Sequence, residues 1–240
     1  ATSKSGDEFL GYIAISTDEN AVTLPFAVDF AGGVVPLEIK NVYIDKTDLS
    51  FNGDGINDTA NLTWTNTGDL GFTLVEVFDY LDMNGGVYGD GFIGYIYGAD
   101  SINAGSYRLP IDGNYLDYET ETIQIIPDGV YTFDINDYDN NLAEWTEPVF
   151  VKTTKPEISA SISDGKVVGN IIDKYIDYNQ VLAPYGFNYD LNEKLNASYV
   201  ITKDGVASSS TPIQLTDDGL FEFEVGSDNE SITITVTDAS

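Results

Sequence analysis

Leu74-Val75-Glu76-Val77-Phe78, preceded by Leu62-Thr63-Trp64-Thr65, is the stretch that decides the fold class. β-Branched and aromatic residues recur there at period two, the spacing that sends successive side chains to opposite faces of a strand. The same signature returns at Val42-Tyr43-Ile44, Gly91-Phe92-Ile93-Gly94-Tyr95-Ile96-Tyr97, Asp128-Gly129-Val130-Tyr131-Thr132-Phe133-Asp134-Ile135 and Val149-Phe150-Val151. Turn signals separate these runs at short intervals, which argues for a β-sandwich and against alternating strand–helix–strand units. No stretch sustains a 3.6-residue apolar period long enough to require a helix. Only 173–194 has an ambiguous period, compatible with a helical turn or an extended insertion. The expected fold class is all-β, as tandem β-sandwich domains.

Just before the deciding strands lies Asn52-Gly53-Asp54-Gly55-Ile56-Asn57-Asp58-Thr59. Oxygen-bearing side chains recur at Asn52, Asp54 and Asp58, and glycines at 53 and 55 permit the positive φ that a sharp bend needs. A hard cation requires such a bend, because several oxygens must be aimed inward at once. The predicted ligands are Asn52, Asp54, Asp58 and the carbonyl of Ile56, and the predicted ion is Ca2+. An EF-hand is excluded, since no helical pattern flanks the loop and no glutamate stands at its twelfth position. The alternative is a tight Asn/Asp/Gly turn that needs no metal.

Upstream, 9–15 and 22–30 read as a strand pair around the polar Thr17-Asp18-Glu19-Asn20, with Pro25 at an edge or bulge. Two strands are not stable alone, so residues 1–33 are expected to complete a module lying further upstream, and Ala31-Gly32-Gly33 reads as a hinge. The second unit, 34–155, carries the candidate calcium loop, and Pro156 stiffens the join to a third unit, 156–240. That third unit holds further short strands, of which Leu220-Phe221-Glu222-Phe223-Glu224-Val225 and Ser231-Ile232-Thr233-Ile234-Thr235-Val236 alternate strictly. The opening Ala1-Thr2-Ser3-Lys4-Ser5-Gly6 carries no structural signal, so the sequence is expected to be cut from something longer.

The 240 residues include no cysteine and no histidine. Disulfides and thiolate metal sites are thereby excluded. So are Ser-His-Asp and Cys-His pairs, and with them the commonest general base. Forty acidic residues against ten basic ones give a formal charge of −30. Such a surface repels phosphate, so neither nucleic acid nor an anionic membrane is an expected partner. No run of about 18 apolar residues is present to span a bilayer.

In the order of its segments the sequence resembles the C-terminal region of secreted subtilisin-like serine proteases. The likeness is greatest to the minor extracellular, Vpr-type enzymes, and extends more distantly to lactocepin-like cell-envelope proteases. It rests on Val22-Thr23-Leu24-Pro25-Phe26, the run from Asp48 to Asp58, Tyr88-Gly89-Asp90-Gly91-Phe92-Ile93-Gly94-Tyr95, Val151-Lys152-Thr153-Thr154-Lys155-Pro156, Asp173-Lys174-Tyr175-Ile176-Asp177 and Tyr189-Asp190-Leu191-Asn192. The resemblance implies immunoglobulin- and fibronectin-type-III-like modules downstream of a protease domain, with 1–33 the last strands of one fibronectin-type-III-like module. It implies a non-catalytic array that stabilises, spaces or docks a secreted or cell-wall-associated bacterial enzyme. The expected partners are the upstream protease domain of the same polypeptide and a cell-wall polymer or protein substrate, and a monomer is expected. No catalytic residue carries over, because no position matches the triad motifs.

Two more acidic turns, Asp134–Asn141 and Asp79–Gly86, read as ordinary loop chemistry with some capacity for calcium. Tyr88, Tyr95, Tyr97, Tyr107, Tyr115 and Tyr118 crowd one span of the middle unit. Exposed, they would form a stacking platform for sugar rings or peptide, which is the competing functional reading: a cell-surface binding module. Otherwise they line sandwich interiors and edges with the hydroxyl wet. Acidic residues are so abundant that counting them gives no signal for a carboxylate-pair hydrolase.

Overall fold

The computed structural model describes residues 8–16, 21–29, 35–82, 91–226 and 230–239. They are mostly β, in several antiparallel sheets. β1 (Glu8–Ser16) and β2 (Ala21–Asp29) pair antiparallel with Tyr12 opposite Pro25. A two-stranded sheet is all edge, so the missing N–H of Pro25 is tolerated. The predicted hinge at Ala31-Gly32-Gly33 lies outside the described residues, as do 83–90, including Tyr88.

The middle unit runs through β3 (Ile39–Ile44), β4 (Asp48–Leu49), β5 (Ala60–Asn66), β6 (Thr73–Asp79), β7 (Phe92–Ala99), β8 (Gly105–Ile111), β9 (Asn114–Asp117), β10 (Ile123–Ile125), β11 (Gly129–Asp137), β12 (Leu142–Trp145) and β13 (Val149–Val151). Every strand expected here is present. β4, β8, β9, β10 and β12 are additional; they are short or interrupted by polar residues and by Pro110. The larger sheet has the order β10-β9-β7-β6-β11-β13-β4, with β12 also on β11, and the smaller has the order β3-β5-β8. All pairs are antiparallel except β13 with β4.

Strand alternation builds the core between these sheets. Val75, Val77, Phe133 and Ile135 enter it from the larger sheet, and Ile39, Leu62, Trp64 and Ile111 from the smaller. The intervening Leu74, Glu76, Phe78, Thr132, Asp134 and Asn136 are thereby committed to the opposite face of the larger sheet.

The third unit comprises β14 (Glu157–Ser163), β15 (Lys166–Ile172), α1 (Lys174–Leu182), α2 (Leu191–Lys194), β16 (Leu195–Lys203), β17 (Val206–Ala207), β18 (Thr211–Pro212), β19 (Leu220–Glu224) and β20 (Glu230–Asp238). One sheet has the order β14-β15-β19; in the other, β17, β18 and β20 all pair with β16. The ambiguous 173–194 segment is helical at its start. Asp173 caps α1 by accepting a 2.8 Å bond from the Tyr175 N–H, and Tyr175, Tyr178, Asn179 and Leu182 form its buried stripe. Pro184 and the left-handed Gly186 follow its end. With nine residues and tyrosines at the stripe positions, its period is too brief to stand out in sequence.

The two larger units share an apolar seam. Val130 and Phe150 leave the middle unit and pack in the core formed by Ile171, Tyr175, Leu182, Leu195 and Phe221. Two lysines bolt the seam. Lys152, whose side chain has no solvent exposure, places Nζ 3.0 Å from Asp173 Oδ2, contacts Asp238 Oδ2, and donates to the Thr154 carbonyl at 2.6 Å. Lys194 donates to both oxygens of Asp48 at 2.6 and 2.7 Å and sits 4.8 Å above the Phe150 ring. Tyr175 adds a 2.9 Å bond to Asp48, and the Tyr178 hydroxyl donates to the Val151 carbonyl.

A candidate binding groove and a candidate metal loop

On the outer face of the larger sheet the strand registers assemble one row of side chains. Tyr95 of β7 is opposite Glu76 of β6, Glu76 is opposite Asp134 of β11, and Asp134 is opposite Trp145 of β12. The row on one side brings Phe92, Phe78 and Thr132 into line, and the row on the other brings Leu74, Asn136 and Ala143. Together with Tyr118 and Tyr138 these residues, Thr132 excepted, line a groove of about 620 Å³, within the size range of sites for small organic ligands. Its aromatic end is compact: Phe78 stands 4.6 Å from Trp145 and 5.4 Å from Phe92 between ring centroids, and Phe92 stands 5.5 Å from Tyr118.

Two carboxylates form the floor. Glu76 accepts bonds from the Tyr138 hydroxyl at 2.5 Å and from Asn136 Nδ2 at 3.1 Å. Asp134, 1% exposed, accepts a backbone bond from Glu144, but its Oδ1 has no hydrogen-bond partner. Among the described residues neither carboxylate has an ion-pair partner. Burial pushes the Asp134 carboxyl up to about 7, and the Glu76 charge across the strand pair pushes the same way.

Of the six tyrosines singled out in the sequence, the five among the described residues do not form one platform. Tyr95 and Tyr118 belong to the groove. Tyr97 and Tyr115 line a separate hollow of about 420 Å³, and Tyr107 stacks on Trp64 at 5.2 Å. Sequence reasoning passed over Glu76 and took Asp134 only as the start of an acidic turn, whereas it stands inside β11. The available signal was their position: a single acid inside Val75-Glu76-Val77 and another inside Phe133-Asp134-Ile135, in otherwise apolar strands.

The 52–58 bend is closed by its own backbone. Asn52 Oδ1 accepts from the Asp54 N–H at 2.9 Å and Asp54 Oδ1 from the Ile56 N–H at 2.8 Å. Asp58 accepts from the Gly53 and Gly55 N–H groups at 2.8 and 2.5 Å, and these donors hold its carboxyl below the usual aspartate range. Gly53 and Gly55 have φ of +80° and +88°, as a bend of this kind requires. Asn52, Asp54 and Asp58 are thus brought together in one turn, with Ile56 exposed beside them. The donors are all hard oxygens, and each bonded carboxylate oxygen keeps a second lone pair, so their chemistry fits Ca2+. They supply only two formal charges. Among the described residues no three acidic side chains converge on one point.

In the two remaining acidic turns, Asp137, Asp139 and Asp79 accept backbone N–H groups. Asp137 is buried rather than solvated: it accepts from the N–H groups of Asp139, Asn140 and Gly71. Asp139 accepts from Phe72, so the turn pins the entry to β6. Asp79 accepts from the Leu81 N–H and caps the 3-10 turn Tyr80–Asp82.

No protein-family model matches the chain, and no curated protein matches it. Among solved structures, native alpha-2-macroglobulin from Escherichia coli, spanning domains MG0-NIE-MG1, is similar at 10% identity and a TM-score of 0.27, over 91% of this chain and 68% of that one. A tetra-tandem repeat in the extending region of a large adhesion protein is similar at 14% identity and a TM-score of 0.25, over 92% of this chain and 54% of that one.

Proposed function

We propose that this chain is a non-catalytic accessory array of immunoglobulin- and fibronectin-type-III-like β-sandwiches in a secreted, subtilisin-like bacterial peptidase, where it spaces and docks the enzyme. The observation that carries the spacer role is the seam between the two larger units. A flexible linker would leave Lys152 in water; here its ammonium is buried against Asp173 and Asp238 of the next unit. Two domains joined that way turn as one body, which is what a spacer needs. The peptidase assignment is supported by the order of the resembling segments, and the non-catalytic role by the absence of histidine. Calcium at Asn52, Asp54, Asp58 and the Ile56 carbonyl would brace a bend that already closes without it, supplying charge neutralisation to Asp54 and Asp58. Calorimetric unfolding tests the spacer role. One cooperative transition for both units is expected, and two well-separated transitions would overturn it.

A second reading, a surface-binding module, is favoured by the groove on β6, β7, β11 and β12. Retention on isolated bacterial cell wall, lost on Trp145→Ala, is the expected outcome for it.

A further inference from the structure

Glu76 and Asp134 face each other across two hydrogen-bonded strands, an arrangement of like charges that weakens a sheet. Both are also nearly sealed from water, at 4% and 1% exposure, which adds a desolvation cost. Elsewhere among the described residues the buried acids are given a cation or several donors, as Asp173 and Asp137 are. Among the described residues the groove pair has no cation, and Asp134 Oδ1 has no hydrogen-bond donor. Buried, unpaired acids in a cleft mark a candidate site for a ligand that completes them.

The missing component is defined by what surrounds the acids. It must bring positive charge and N–H donors to the floor, and it must present an apolar face to the rings of Phe78, Phe92 and Trp145. Aromatic rings also attract a cation directly. The groove, at about 620 Å³, is far roomier than a bare alkylammonium requires, and its other end offers the Asn136 amide and the Tyr138 hydroxyl as partners for hydroxyl groups. A pyranose ring bearing a free amino group meets all of these demands.

We propose that this groove binds an amine-bearing sugar, a glucosamine-type unit of a polysaccharide, with the ammonium between Glu76 and Asp134 and one face of the ring against Phe78, Phe92 and Trp145. The inference rests on the binding-module reading and gives that module its ligand chemistry. The charge selects against the N-acetylated sugar, whose amide cannot neutralise the acids.

Titration calorimetry of the whole chain with three probes tests it: a glucosamine tetramer, the N-acetylglucosamine tetramer and butylamine. The glucosamine tetramer is expected to bind about tenfold or more tighter than either of the others. Asp134→Asn, which keeps the shape of the side chain, is expected to remove that preference. Trp145→Ala, at a half-exposed position, is expected to weaken glucosamine binding without loss of fold by circular dichroism. Equal affinity for the two tetramers overturns the charge selection and leaves the binding module standing. Butylamine binding as tightly as the glucosamine tetramer overturns the sugar. No binding of any probe overturns the inference, and retention on isolated cell wall then decides the binding-module reading by itself.

Discussion

Lys152 Nζ lies 3.0 Å from Asp173 Oδ2, and neither side chain is exposed to solvent. Asp173 also caps α1, so one carboxylate both begins a helix and neutralises the ammonium of the preceding unit. Removing one partner of such a pair leaves an uncompensated buried charge. Lys152→Ala is therefore expected to destabilise the chain by about 3–5 kcal/mol in urea unfolding, and to separate the melting of the two units. A loss under about 1 kcal/mol would mean that the pair does not hold the seam.

Lys194 is held less deeply, with 14% of its side chain exposed, but it is bonded to both oxygens of Asp48 and lies over the Phe150 ring. Lys194→Met keeps the stem and removes the charge. A loss of about 2 kcal/mol is expected, and Tyr175→Phe, which removes a second donor to Asp48, is expected to cost about 1 kcal/mol.

The pH dependence of stability follows from Asp134. Unfolded, this carboxyl releases its proton near the ordinary 3.8; folded, it holds the proton to about 7. Between those values the folded state binds more protons, so its contribution to stability is present in acid and lost as pH rises through 7. The facing groups are Glu76, Glu144 and Tyr138, none of them cationic. Asp134→Asn is expected to flatten the profile between about pH 4 and pH 7 and to stabilise the chain by up to about 4 kcal/mol above pH 7, by chemical denaturation at each pH.

Calcium is expected to raise the melting temperature, by an amount equivalent to about 2.7 kcal/mol at a hundredfold excess over the dissociation constant. Asp54→Ala is expected to abolish that response. Asp58→Ala is expected to lower the melting temperature even in chelator, because the Gly53 and Gly55 N–H groups lose their acceptor. Identical calcium responses in wild type and Asp54→Ala would remove the metal from the loop.

Central strands of the middle unit were legible because their alternation survives in sequence, as in Leu62–Thr65 and Leu74–Phe78, and for the same reason so was the edge strand at Ser231–Val236. β8 was not, because Arg108 and Pro110 interrupt it, and its place is set by pairing with β5 rather than by its own residues. α1 was visible only as an irregularity. The groove was hidden for a different reason. Glu76, Asp134 and Trp145 are far apart in sequence and meet only through register, and in a chain with forty acids neither acid stands out by type. The 52–58 bend was the most local of the candidate sites and the easiest to find.

Lys152 and Asp238 are separated by 86 residues, and synthesis runs from one to the other. A nascent chain that has emerged as far as β13 carries an ammonium destined for burial, before Asp173 has emerged and before Asp238 has been made. Val130 and Phe150 wait with it, uncovered. The middle unit can therefore reach its final state only after β20 has been laid against β16. Until then the half-made product exposes the surface on which chaperones act and nascent chains aggregate.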